Sequence, residues 1–211
     1  MSKSVEIYQV KTKVVMKSIY MDRFYFCAIL ALSVAVSSCS LREQEIRRTL
    51  EAFSHSVINI PESEMLRIKG RDSIPQFQTL GKYRMVVYTD STSCSPCALK
   101  QFTSWGPILD SLQSCPLLSN ILFIFSPSRS KLEEVEYILS NSKFKYPVYL
   151  DTCNAFTKSN RDMPTDRIMH TFLIDEDGHV VLVGNPVTSE KMRSLYFNVL
   201  QGTMEKEIKE Q

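Results

Sequence analysis

Two cysteines stand close together in "YTDSTSCSPCALKQF", residues 88–102, with Ser95 and Pro96 between Cys94 and Cys97. A pair at this spacing can be a redox couple, half of a metal site, or two small buried residues. The apolar run Met85-Val86-Val87-Tyr88 precedes the pair and a stretch of helical character follows it. The pair therefore falls where a strand hands over to a helix. At a helix N-terminus the free backbone N–H groups and the aligned peptide dipoles favour negative charge. Cys94 is accordingly expected to ionise below the free-thiol value of about 8.5, with Cys97 one turn deeper and near enough to close a small disulfide. Pro96 suits an early helical position, where its missing N–H costs nothing.

The chemistry of such a couple is thiol–disulfide exchange. A substrate thiolate attacks oxidised Cys94, or the Cys94 thiolate attacks a substrate disulfide; either route passes through a mixed disulfide at Cys94, which Cys97 resolves in the reducing direction. Asp90, just upstream, reads either as a proton acceptor for Cys97 or as a solvated strand-end or capping residue. A zinc site needs a second pair of Cys or His ligands at matching spacing. Cys115 and Cys153 are lone, and the histidines are His55, His170 and His179. No metal site and no cofactor are expected.

Elements that position the pair follow in order. "YRMVVYTD" is a strand rich in β-branched and aromatic residues. Residues 95–112 read as a helix, with Gly106-Pro107 as a place to kink it. "NILFIFSP" has the continuous apolar character of a strand buried on both faces. "SRSKLEEVEYILSNSK" opens with a serine cap and spaces Leu132, Val135 and Leu139 as a helix does. "YPVYLD" is a short strand, "TFLIDEDGHVVLVG" a hairpin around Glu176-Asp177-Gly178, and "SEKMRSLYFNVLQGTMEKE" a closing helix. Upstream, "LREQEIRRTLEAFSHSV" is an amphipathic helix, and "INIPESEMLRIKGRDSIPQF" reads as short strands and loops. Alternating strands and helices predict an α/β domain, a sheet with helices on both faces.

The chain begins with a different kind of segment. In "MDRFYFCAILALSVAVSSC" the basic Arg23 precedes an apolar stretch, residues 24–36, too short to span a bilayer comfortably, and small residues follow. This is the order of a secretory signal. Met16 and Met21 are alternative starts, since the first fifteen residues add nothing to the pattern. Val36-Ser37-Ser38-Cys39 resembles a bacterial lipobox, which makes Cys39 the expected lipidation site; ordinary cleavage near Ser38 is the plainer alternative. The first 38 residues carry five Lys/Arg and two Asp/Glu, leaving 20 and 21 for the rest, so the mature part is nearly neutral. That balance argues against nucleic acid or another polyanion as partner. Export to an oxidising compartment permits disulfides, and Cys115 and Cys153 either pair or are buried small hydrophobes. The expected organisation is residues 1–38 signal, 39–80 tether and extension, and 81–211 the ordered domain.

On "VVYTDSTSCSPC", "ILFIFSP", "YPVYLD" and "TFLIDEDGHVVLVG", the sequence resembles the thioredoxin-like superfamily, and within it the membrane-tethered thiol-disulfide oxidoreductases and related peroxiredoxin-like lipoproteins of bacterial envelopes. The resemblance runs from about Tyr83 to the C-terminus. It implies a mixed sheet of four to five strands flanked by helices, a nucleophilic Cys94 and a resolving Cys97. It further implies client thiols or disulfides of envelope proteins, a recharging redox partner, and a lipid anchor on the cell membrane or outer membrane, facing the periplasm. Reduction of disulfides is the direction implied by tethered relatives. Two positions depart from the family. Ser93 stands where an aromatic residue usually precedes the first cysteine, and the one tryptophan, Trp105, lies inside the following helix. The family's cis-proline directly before the "TFLID" strand is absent, and the chain reads Met169-His170-Thr171. Either Pro164 is a plain residue of a longer loop or His170 takes the proline's place, where His170 and Thr171 would tune Cys94 or bind substrate. Met163, Met169 and Tyr88 read as packing residues. Two other readings stay open. One is a non-catalytic binding module that keeps the cysteines as a staple. The other is a thiol peroxidase, for which Thr92 is close but no arginine is evident.

Overall fold

The computed structural model describes residues 41–68, 81–90, 95–142, 144 and 146–202, with the backbone alone described over 95–103. The expected signal segment and Cys39 lie outside these residues. The chain divides into two compact units, Met1–Arg48 and Thr49–Gln211. In the first, residues 41–48 are helical and carry an exposed Arg47–Glu43 ion pair at 3.2 Å, one turn apart. In the second, residues 49–54 are helical (α1), and the remaining elements follow.

These elements are β1 (Leu66–Arg67), β2 (Tyr83–Thr89), α2 (Ser95–Gln113), β3 (Leu118–Phe125), α3 (Leu132–Asn141), β4 (Val148–Leu150), α4 (Ala155–Ser159), β5 (Thr171–Ile174), β6 (Val180–Val183) and α5 (Glu190–Leu200). They build one sheet in the order β1-β4-β3-β2-β5-β6. β2, β3 and β4 run parallel, whereas β5 opposes β2 and β6 opposes β5. The order β3-β2-β5-β6, with β5 alone reversed, is the arrangement of a thioredoxin-like fold. The chain has that fold. β4 extends it by one parallel strand, and β1, antiparallel to β4, adds an edge strand, so the sheet has six strands rather than four to five. β1 falls in the stretch read as short strands and loops. Only two residues long, it has no periodicity to show in sequence.

Both sheet faces are covered, so the central strands are apolar throughout and alternate residues serve different cores. On β2, Met85 and Val87 face one side with Trp105, Leu109 and Leu112 of α2, Val135 and Leu139 of α3, and Tyr196 and Leu200 of α5. Val86 and Tyr88 face the other, with Phe53 of α1, Ile58, Met65 and Phe156 of α4. Trp105 is 2% exposed and meets Phe123 of β3 edge-on, ring centres 5.6 Å apart. Pro107 lies inside α2, yet the helix continues to Gln113. The hairpin turn holds Gly178 at φ +87, where a side chain is strained, and its carbonyl accepts from the Ile58 N–H at 2.8 Å. Gly81 leads into β2 so close to the Leu118–Ser119 backbone that no Cβ fits there.

Candidate functional site

The C-terminal ends of the parallel strands converge with the start of β5 and the start of α2. α2 begins at Ser95, so Cys97 is its third residue and Pro96 its second. Cys94 lies outside the described residues, and the side chains of Pro96 and Cys97 are not among the described atoms.

His170 is the residue directly before β5, and it is 5% exposed. Its carbonyl accepts from the Tyr88 N–H at 2.8 Å, continuing the β2–β5 ladder by one step past the Val87–Thr171 pair. The peptide bonds here are trans, as throughout the described residues. Pro164 is buried six residues earlier, and its carbonyl lies 2.9 Å from His170 Nε2. A carbonyl only accepts, so Nε2 carries the proton. Nδ1 is then the bare acceptor; it is buried and has no hydrogen-bond partner among the described residues. Burial pushes the His170 pKa down, offset in part by the Pro164 carbonyl and by the charges of Asp90 and Asp166; Arg167 adds to the depression. Thr171, the first residue of β5, is likewise buried. Asp90, half-buried at the end of β2, acts on both His170 and Tyr88 through its charge.

Beneath His170 lies a polar cluster that the sequence did not advertise. The Tyr88 ring packs against His170 at 5.2 Å and Phe156 at 5.0 Å between ring centres. Tyr88 is packing, as read, and burial raises its pKa, offset in part by the neighbouring Ser126 and Thr157 hydroxyls. Ser126 donates to Asp151 Oδ2 at 3.2 Å. Asp151, wholly buried, accepts from the N–H groups of Ala155 (2.7 Å) and Phe156 (2.9 Å), capping α4. Asn154 supports the tight entry by adopting a left-handed conformation, φ 53. Asn160 closes the other end of α4. Its side chain bonds the Asn59 N–H and carbonyl, both at 2.8 Å, and the Phe156 carbonyl at 2.7 Å. A fully buried carboxylate with three donors is a stable arrangement, since each charge-assisted bond offsets part of the desolvation. The signal for Asp151 was present as an aspartate four residues ahead of an Ala-Phe pair, but "YPVYLD" also reads as a strand with a solvated end.

The remaining cysteines do not pair. Cys115 is buried, its Sγ within 3.6 Å of the Ser111 carbonyl, and burial raises its pKa; Cys153 is exposed and free. Among the described residues one group has metal-ligand spacing, Asp175, Asp177 and His179 in the β5–β6 turn, and it is distant in sequence from the cysteine couple. Asp175 there already accepts from the Asp177 and His179 N–H groups at 3.0 and 2.8 Å, as a turn carboxylate does. Met169 is buried, and Met163 packs on the second core from a half-buried position.

No family model matches the chain, and no curated protein matches it. Several solved structures do. A thioredoxin-like protein from Porphyromonas gingivalis is 17% identical, with 56% of this chain and 78% of that one covered and a TM-score of 0.36. A reduced 2-Cys peroxiredoxin from Plasmodium vivax is 14% identical over 74% of this chain and 98% of that one, TM-score 0.43. StoA from Bacillus subtilis is 16% identical over 55% and 84%, TM-score 0.37. The fold assignment stands on strand order and direction, not on these likenesses.

Proposed function

We propose that this protein is a thiol-disulfide oxidoreductase that exchanges disulfides through Cys94 and Cys97, exported and held to the envelope membrane by lipid on Cys39. The observation that carries the reading is the start of α2 at Ser95. A 19-residue helix begins one residue after Cys94 and takes Cys97 as its third residue. Backbone N–H groups free of intrahelical partners are therefore concentrated where the nucleophile is needed as a thiolate. The Cys94 thiolate attacks a client disulfide. One client sulfur leaves as a thiolate and takes a proton from solvent, and the other stays bonded to Cys94. Cys97 then loses its proton and attacks Cys94, the mixed bond breaks, and the second client sulfur leaves. Two electrons pass to the client, and the couple is left as a disulfide to be recharged by a dithiol partner.

The clients are protein disulfides, since the chemistry asks nothing of the substrate but an accessible sulfur. Lipid anchoring is supported by the small residues before Cys39 and by the apolar stretch ahead of them. Among the described residues no helix is long and apolar enough to cross a membrane.

The test is insulin reduction driven by dithiothreitol. The full chain accelerates it, while Cys94→Ser and Cys97→Ser fall to the rate of dithiothreitol alone. A Cys97→Ala chain traps a client as a disulfide on Cys94. Activity that survives Cys94→Ser overturns the reading. A binding module, the reading favoured by the buried His170 in the proline's place, leaves insulin untouched in every form. Peroxide consumption that depends on Cys94 would instead make the protein a peroxidase.

A further inference from the structure

Residues 161–169, between α4 and β5, are bonded mostly to their own neighbours. The Met163 N–H donates to the Asn160 carbonyl at 3.1 Å, Met169 to Asp166 at 3.0 Å and His170 to Arg167 at 3.2 Å. Asp166 caps the single helical turn Arg167–Met169 by accepting from the Ile168 N–H. One turn of three residues does not stand by itself. Arg161, Asp162, Thr165, Arg167 and Ile168 are exposed, and Pro164 and Met169 are buried. The His170 ring fastens this stretch. Its Nε2–H donates to the Pro164 carbonyl at 2.9 Å, and the His170 carbonyl accepts from the Tyr88 N–H of β2 at 2.8 Å. The ring thus links the middle of the stretch to the sheet.

The same ring is 5% exposed, and its Nδ1 is buried with no hydrogen-bond partner among the described residues. A second proton would go on Nδ1, making a buried cation with an unanswered donor, which costs far more than a bare acceptor. Tyr88 and Asp90 face the ring from β2, and Asp166 and Arg167 act on it from the turn. Asp90 and Asp166 favour the cation and Arg167 opposes it, but burial outweighs them. From α4, the apolar Phe156 stacks behind Tyr88. α2 brings Cys97, and Cys94 before it, to the same end of the sheet.

We propose that residues 161–169 form a pH-operated flap, latched to β2 by the neutral His170 ring and released when that ring takes up a proton. Release breaks the Nε2–H bond to Pro164 and carries the imidazolium into water, where its charge is solvated. The proton comes from solvent and returns there when the flap closes. The closed ring resists a proton that the open ring accepts at about 6.5. The open share therefore grows about 10-fold between pH 7.5 and pH 5.5. That window lies above the ordinary aspartate value of about 3.9, so Asp90 and Asp166 keep their charge across it. The device does not depend on the oxidoreductase reading. It adds a switch at the sheet edge where α2 begins.

The test is native-state amide hydrogen exchange on the full ¹⁵N-labelled chain, expressed as protection factors so that the intrinsic pH dependence of exchange divides out. The Met169 and His170 amides are expected to lose about 10-fold in protection from pH 7.5 to pH 5.5. They are also expected to be less protected than Leu122 and Phe123 of β3 and nearly indifferent to low urea, because a flap exposes little surface. His170→Phe keeps a flat ring that takes no proton. In it Met169 is expected to be less protected at pH 7.5 and to show no pH slope. A chain with both Cys94→Ser and Cys97→Ser is expected to keep the native slope. Met169 protection that ignores pH in the native chain overturns the proposal. So does protection that matches β3 and falls as steeply in urea, since the stretch then opens only with the whole molecule. Neither result needs a ring substitution, so a His170→Phe chain that fails to fold does not blunt the test. A slope that survives in folded His170→Phe, or vanishes in the doubly substituted chain, places the titration elsewhere and also overturns it.

Discussion

At the scale of single residues, burial separates thiols and imidazoles that look alike in sequence. Cys115 is 2% exposed with a raised pKa, and Cys153 is exposed. Thiolate character and access together set reactivity, so iodoacetamide under native conditions is expected to label Cys153 and spare Cys115. Peptide mass spectrometry reads this directly, and equal labelling would mean the α2 end is open in solution. His170 gives a pH prediction. Its pKa in the fold is lowered by burial, so the unfolded chain binds the proton more readily. Stability therefore rises with pH through the window below the ordinary histidine value of about 6.5, and is lost as pH falls into it. Urea midpoints followed by circular dichroism between pH 7 and pH 5 are expected to drop more steeply for the native chain than for His170→Phe. Parallel curves would mean that His170 is not desolvated.

Among the elements, α4 is the one whose existence depends on a single side chain. Five residues are too few for a helix to stand on propensity. Asp151 supplies two of its first N–H partners, and Asn160 ties its far end to Asn59. Asp151→Ala is expected to cost about 3 kcal/mol, against about 1 kcal/mol for Asp151→Asn, which keeps one acceptor oxygen. The difference is measurable as a urea midpoint shift; equal losses would assign the cost to volume instead. α4 also shows where sequence reading ran out. β2, β3 and the β5–β6 hairpin announced themselves because continuous apolar runs and an Asp-Gly turn have local causes. The α2 start was legible for the same reason, a strand end followed by Cys-Ser-Pro-Cys. β1 and α4 form because distant residues complete them: Leu66 against Leu150, and Asp151 against Ser126. The same holds for His170. Its place before β5 could be read, but the Pro164 carbonyl that fixes its ring protons could not.

For the molecule as a whole, the second core is the informative one. It is closed by residues well upstream of β2, namely Phe53, Ile58 and Met65. Phe53 meets Phe172 edge-on at 5.2 Å, and Val57 bridges His179. A chain trimmed to begin at Gly81 would expose Val86, Leu122 and Phe172 to water. Such a chain is expected to be insoluble or to unfold at markedly lower urea than one beginning at Leu41. The milder Phe53→Ala is expected to cost about 3 kcal/mol. A trimmed chain of unchanged stability would show that the upstream segment only rests on the sheet.

The lone indole has a practical corollary. Trp105 sits on the helix that carries Cys97, sealed against Phe123, and the chain contains no other. Emission excited at the red edge of the indole band, beyond tyrosine absorption, therefore originates at one address. A red shift would announce that α2 has lifted off the sheet, and a steady spectrum during melting elsewhere would say that it had not. The molecule carries its own lamp on the helix that opens with the proposed couple, and no dye need be attached to watch it.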